Sequence, residues 1–239
     1  MCMSKIFQLE VPISLDGITL AQYQEFLDVS KSIKEGDVET SNLKALEIFC
    51  GASLKDLRKI PMNEFNAIVG HINGLFKEET PLQRDVTIVG SDGKGVSFGF
   101  IPKLDDITMG EFVDLDKYIS DWDNMHRAMN ILYRPITFRK GDLYTIEEYS
   151  ASDRHLDLMK EMPVSVALGA TVFFYRLGKE LSSCTMDFLQ KQLENKEHPI
   201  HKDLEKSGVG ISQFMHSLKE MSETLKRLPN YLSNNVFSG

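Results

Sequence analysis

The residues of this chain best suited to chemistry crowd into one stretch: Asp105, Asp106, Glu111, Asp114, Asp116, Asp121 and Asp123, followed by His126. Paired carboxylates can hold magnesium or calcium through hard oxygen ligands. Asp123-Asn124-Met125-His126 also has the spacing of half of the carboxylate-x-x-His pattern found in bundle metal sites. Such a site needs a second pair, and Pro163 to Leu193 supplies none. Acids near a helix N-terminus are favoured by the macrodipole, so the expectation is a solvated capping face with no metal and no cofactor.

The remaining reactive groups are more scattered. His126 sits on an apolar seam, where burial would keep it neutral, and it reads as a hydrogen-bonded core or interface histidine. His198 and His201 flank Pro199-Ile200 in a polar stretch and read as solvent-exposed. Cys50, Cys184, Ser182 and Ser183 have no nucleophile signature beside them, so no catalytic residue is assigned. Gly90-Ser91-Asp92-Gly93-Lys94-Gly95 invites a phosphate-binding reading but lacks Gly-Lys-Ser/Thr and lies between two apparent strands. It reads as a turn.

The totals narrow the classes further. With 27 Lys and Arg against 35 Asp and Glu over 239 residues, the net charge of −8 disfavours phosphate backbones, and basic stretches such as Arg139-Lys140 are only two residues long. Direct nucleic-acid binding is not expected. Three distant cysteines, Cys2, Cys50 and Cys184, suggest neither a disulfide framework nor a zinc site. Met1 to Lys5 has no basic-then-apolar signal pattern, so secretion by a signal peptide is not expected. The long uncharged run from Met162 to Tyr175 falls short of the ~20 residues a spanning helix needs, so a membrane is not expected either.

The elements that would position these groups are announced by a recurring phrase. Thr19-Leu20-Ala21-Gln22-Tyr23, Thr108-Met109-Gly110-Glu111-Phe112 and Thr145-Ile146-Glu147-Glu148-Tyr149 all read Thr, aliphatic, any, Gln/Glu, aromatic, and Pro61-Met62-Asn63-Glu64-Phe65 is a variant. Each is a helix start, and in the three that begin with Thr the side chains can form a capping box. Helices are predicted over Leu20 to Ile33, Leu43 to Phe49, from Pro61 onward, Met109 to Tyr133, from Thr145, and from Pro163 to Leu193. The 3, 4 spacing of Phe112, Leu115, Ile119, Trp122, His126, Met129 and Tyr133 predicts one continuous helix nearly 40 Å long at ~1.5 Å per residue. Gly169 within the last helix marks a bend or a close approach by another helix.

Three strands are predicted: Phe7 to Leu15, at an edge because of Pro12, and Val86 to Val89 with Val96 to Phe100 as a hairpin. Arg139-Lys140-Gly141-Asp142 reads as a hinge. The fold class is α+β, predominantly helical: a helical bundle with a small antiparallel sheet. Residues 1–195 form one globular domain with a candidate sub-boundary at 78–85, residues 196–210 a linker, and residues 211–239 a C-terminal amphipathic helix and tail. Ile211, Phe214, Leu218, Met221, Leu225 and Leu228 make a narrow apolar seam on that helix, a candidate interface.

Taken together, Gly99-Phe100-Ile101-Pro102-Lys103-Leu104-Asp105-Asp106-Ile107-Thr108, the following Met109-Gly110-Glu111-Phe112-Val113-Asp114-Leu115-Asp116, then Leu132-Tyr133-Arg134-Pro135-Ile136, Met162 to Ala170 and Phe173-Phe174 resemble a group of small virion-assembly proteins of tailed bacteriophages. The resemblance spans roughly Gly99 to Leu193 and carries no catalytic residue. It implies a non-enzymatic structural or assembly role at the head, neck or tail, in the virion or host cytoplasm. The partners would be other phage structural proteins or copies of the chain itself, in a homo- or hetero-oligomer. The first alternative is a cytoplasmic assembly chaperone or adaptor that is absent from the mature particle. The second is a metal-dependent hydrolase using Asp114, Asp116, Asp121, Asp123 and His126.

Overall fold

The computed structural model describes residues 9–34, 36–91, 93–104, 107–174 and 176–177. They form an α+β fold, predominantly helical, with a small antiparallel sheet. One compact unit extends to Ala170; of the second, which begins at Thr171, the described residues are helical. The expected linker at 196–210 and the seam of Ile211, Phe214, Leu218, Met221, Leu225 and Leu228 lie outside the described residues, as do Cys184, Ser182, Ser183, His198 and His201.

Helix α1 (Leu20–Ser32) opens on a complete capping box: Gln22 N–H donates to Thr19 Oγ1 at 3.2 Å and Thr19 N–H to Gln22 Oε1 at 2.9 Å. Its Leu20, Tyr23, Phe26 and Leu27 are buried, worth ~1.5 to 3 kcal/mol each as area removed from water. Helix α2 (Val38–Phe49) begins earlier than its apolar residues suggest, because the Asp37 carboxylate accepts from Thr40 N–H at 3.1 Å and starts the helix in a polar turn. A single turn, α3 (Leu54–Leu57), leads to α4 (Met62–Leu75), which starts after Pro61 and buries Phe65, Val69, Ile72 and Leu75. Aromatic rings lock the helices together. Tyr23 stacks on Phe76 at 5.5 Å between centroids and meets Trp122 edge-on at 5.1 Å, while Phe49 lies 5.2 Å from Phe26 and 5.8 Å from Phe76.

The sheet differs from expectation. Strands β1 (Asp85–Val89) and β2 (Gly95–Phe100) pair as the predicted hairpin, in the register Val89↔Gly95 to Asp85↔Gly99. The glycine loop between them is a turn, with Gly90 N–H on Lys94 O at 3.0 Å and Gly93 N–H on Gly90 O at 2.9 Å. No strand forms across the described part of Phe7 to Leu15: Ile13 is 87% exposed, Pro12 has no N–H to give a ladder, and Leu15–Gly17 is a 3₁₀ turn.

The predicted 40 Å helix is also broken. Helix α5 (Met109–Tyr118) has its own capping box at Thr108. The chain then turns at Asp121, whose carboxylate accepts from Asp123 N–H at 3.0 Å and starts a 3₁₀ turn that leads into α6 (Met125–Leu132). An Asp side chain competes with the helical backbone in this way, and Leu115 before the break and Trp122, Met125 and Met129 after it are all buried, which is why the apolar spacing runs through it.

From Tyr133 the chain is strand, not helix. Strand β3 (Tyr133–Lys140) pairs with β2 through Phe100↔Tyr133, Gly99↔Arg134 and Phe98↔Pro135, then changes partner to β4 (Leu143–Ile146). Pro135, which cannot donate to a ladder, sits where the partners change, and an irregularity follows between Ile136 and Phe138. The expected hinge at Arg139 to Asp142 is the turn of this second hairpin. Thr145 and Ile146, expected to open a helix, belong instead to β4, because the cross-strand pairs Phe138↔Thr145 and Ile136↔Ile146 claim them.

Two glycines are fixed by close approach. At Gly99 an added Cβ would meet the Tyr144 ring, with Cδ2 at 2.8 Å, and Ile146 Cγ2 at 2.9 Å. Tyr144 cannot easily retreat, since its hydroxyl lies 2.8 Å from the carbonyl oxygens of both Arg84 and Phe100. Helix α8 (residues 164–174 are helical) begins one residue after Pro163, which makes an isolated bridge to Thr19. A Cβ on its Gly169 would press on the backbone of Pro81, 3.0 Å from its carbonyl carbon and nearer still to the oxygen, so the close approach expected there comes from a loop and not from a helix. Gly99→Ala is expected to cost about 1 to 3 kcal/mol by overpacking, and Gly169→Ala more, because backbone and not a side chain must yield. Urea unfolding followed by circular dichroism measures both; equal, negligible losses would refute these close approaches.

Candidate functional site

The expected acidic cluster is distributed over separate local contacts. Asp114 on α5 accepts a hydrogen bond from the Tyr149 hydroxyl. Asp116 is exposed. Asp121 caps the 3₁₀ turn and accepts from Asn124 Nδ2 at 2.7 Å. Asp123 faces α1, where Lys31 Nζ lies 2.6 Å from its carboxylate. His126 Nδ1 is 3.2 Å from Gln24 Nε2, and that amide also donates to the Trp122 and Asp123 carbonyls at 2.7 and 3.0 Å. Among the described residues no three His, Cys, Asp or Glu converge as a metal site would require. Asp105 and Asp106 lie outside the described residues.

His126 therefore lies at the contact between α1 and α6, beside an amide that also serves two backbone carbonyls. Burial first, then the positive charges of Lys160 and Arg127, hold its pKa below the ordinary histidine value. Cys50 is half-buried, and desolvation pushes its thiol up to about 11, which leaves little thiolate at neutral pH. His71 on α4, beside the apolar stripe, reaches the Pro12 carbonyl at 2.9 Å.

The densest polar arrangement is one that spacing alone did not reveal. Glu111 occupies the N3 position of α5 and is only 2% exposed. One of its oxygens accepts from Thr108 N–H at 2.6 Å and the other lies 2.8 Å from Arg134 Nη2 on β3. A single carboxylate thus completes the capping box and forms a buried ion pair with the sheet. Arg134 Nε, also buried, has no hydrogen-bond partner. The Thr108-x-x-Glu111 phrase announced the cap, but nothing in the sequence links Glu111 to a residue 23 positions later on a strand that Pro135 disguised. Next to it, burial and the neighbouring Asp114 and Glu111 carboxylates push the Tyr149 phenol well above the ordinary tyrosine value, so it remains a donor.

The surface carries a second feature. Met109, Phe112 and Val113, at i, i+3 and i+4 on α5, are 76%, 56% and 53% exposed, so this helix buries its Glu111 and Leu115 face and turns an apolar face outward. At the β3–β4 hairpin Phe138 and Leu143 are likewise exposed. Among the described residues no helix is long and apolar enough to cross a membrane. No protein family, curated protein or solved structure matches this chain.

The arrangement binds elements to one another and presents apolar side chains. Replacing Glu111 by Gln leaves an acceptor for Thr108 N–H but strands the Arg134 charge, with an expected loss of about 3 to 5 kcal/mol. Arg134→Met in the same background is expected to restore most of that loss. A double-mutant cycle by urea denaturation checks this, and additive losses would show that the two side chains are not coupled.

Proposed function

We propose that this chain is a non-enzymatic structural or assembly protein of a tailed bacteriophage, acting through contacts with copies of itself or with other structural proteins. The observation that supports this reading best is the outward apolar face of α5, Met109, Phe112 and Val113, within the stretch whose residues resemble phage virion-assembly proteins. Large apolar side chains grouped on one exposed helix face favour burial against a partner. The C-terminal seam from Ile211 to Leu228 offers a second apolar stripe at helical spacing, although it lies outside the described residues. Six such side chains, at ~1.5 to 3 kcal/mol each if fully covered, would contribute on the order of 10 kcal/mol before ordering costs.

The test is the solution mass of the full-length protein by light scattering after size exclusion, beside Phe112→Asp and the Leu218→Asp/Leu225→Asp pair. A discrete oligomer that falls to a folded monomer in either variant supports assembly through that face. A monomeric wild type rules out self-assembly and leaves a different protein as the partner. Loss of the fold in the Leu218/Leu225 variant would assign the seam to the intramolecular core.

A further inference from the structure

Residues 147–155 cross from β4 to the short helix α7 (Leu156–Lys160) without helix or strand of their own. The segment is tied to the α5–α6 face at three points. Tyr149 donates to Asp114, Asn130 Nδ2 donates to the Ser152 carbonyl at 3.0 Å, and Arg127 Nη1 lies 3.4 Å from Asp153 Oδ1. Between these ties Ala151 is held at φ 50°, the one non-glycine residue with positive φ among the described residues. That conformation costs an alanine roughly 1 to 2 kcal/mol, so the closed path persists only while its ties hold it.

The C-terminal end of the segment is anchored differently. The His155 ring meets Phe98 of β2 edge-on, 5.5 Å between centroids, and its Nε2 is buried with no hydrogen-bond partner. A neutral imidazole tolerates this position. A protonated one would hold an N–H donor and part of a full charge there without an acceptor. Arg154, adjacent in the chain, opposes protonation and Glu147 favours it. Of the other charged groups on the neighbouring elements, Arg127 pairs with Asp153 and Lys160 with Asp157, while the carboxylates of Glu148 and Glu161 lie at the two ends of the same stretch of chain.

We propose that residues 147–155 form a pH-sensitive strap: protonation of His155 frees its buried anchor, and the strap leaves the α5–α6 face while the sheet and helical core stay folded. The sign follows from burial, which holds the His155 pKa below its ordinary value in the closed form. The open form, with a pKa of about 6.5, takes up the proton first, so closure is at full strength above that pH and weakens as pH falls below it. Release would uncover Asp114, Arg127 and Asn130 together, a polar patch beside the outward apolar face of α5.

The experiment is a titration of the full-length protein from about pH 7.5 to about pH 5, across the ordinary histidine range, followed by amide NMR. The expected result is that the backbone signals of Glu148 to Arg154 and the Asn130 side-chain amide move to unstructured positions with one midpoint below 6.5. His155→Gln abolishes this transition and His126→Gln leaves it in place. Ala151→Gly, which relieves the closed path, moves the midpoint to lower pH, and this variant decides the matter if His155→Gln does not fold. Native signals throughout, an unchanged transition in His155→Gln, an unmoved midpoint in Ala151→Gly, or simultaneous loss of the β1–β2 and α1 signals would each overturn the proposal.

Discussion

The position of α5 depends on one carboxylate. Glu111 satisfies an otherwise orphaned backbone donor at the start of the helix and at the same time neutralises Arg134 on β3, with both side chains largely removed from water. A buried ion pair of this kind contributes little net stability compared with an apolar pair, because desolvation offsets the attraction. What it fixes is geometry. With Thr108 in capping position and Glu111 at Arg134, α5 turns Met109, Phe112 and Val113 away from the core.

The sheet reinforces the same constraint. Arg134 faces Gly99 across the β2–β3 ladder, and Gly99 is where the Tyr144 ring packs while its hydroxyl reaches two backbone carbonyls. The hairpin therefore closes over β2 only because position 99 has no side chain. Tyr133, fully buried on the neighbouring position of β3, donates to the Gln83 carbonyl at 2.7 Å and so ties the strand to the loop leading into β1. Helix α8 is held in turn, with Gly169 against Pro81 and Ser165 between Asp16 and Gln83.

Much of this was legible in the sequence, for identifiable reasons. The capping boxes at Thr19 and Thr108 formed because their signals are local and complete within four residues. The glycine-rich turn between β1 and β2 formed for the same reason. The phrase at Thr145 failed because strand pairing to Phe138 and Ile136, a nonlocal effect, outweighed an equally good local signal. The run from Phe112 to Tyr133 misled because apolar spacing survives a break when Asp121 starts a new turn in phase with the old one. Pro135 suggested the end of a helix, and a strand that changes partner at a proline leaves the same mark. The acidic residues gave no hint of their separate fates, since the partners of Asp123, Asp114 and Glu111 come from α1, the strap and β3.

The polar groups hold elements in place and several large apolar side chains stay exposed, the two features on which the proposed assembly role rests. On the proposed reading a tailed phage encodes the chain, and the most direct measurement is quantitative mass spectrometry of that phage's purified particles. The account predicts its peptides at a fixed copy number relative to the major structural proteins, retained through purification at high salt. Infectious particles that contain none of them would contradict a permanent structural role and leave the transient assembly factor in its place.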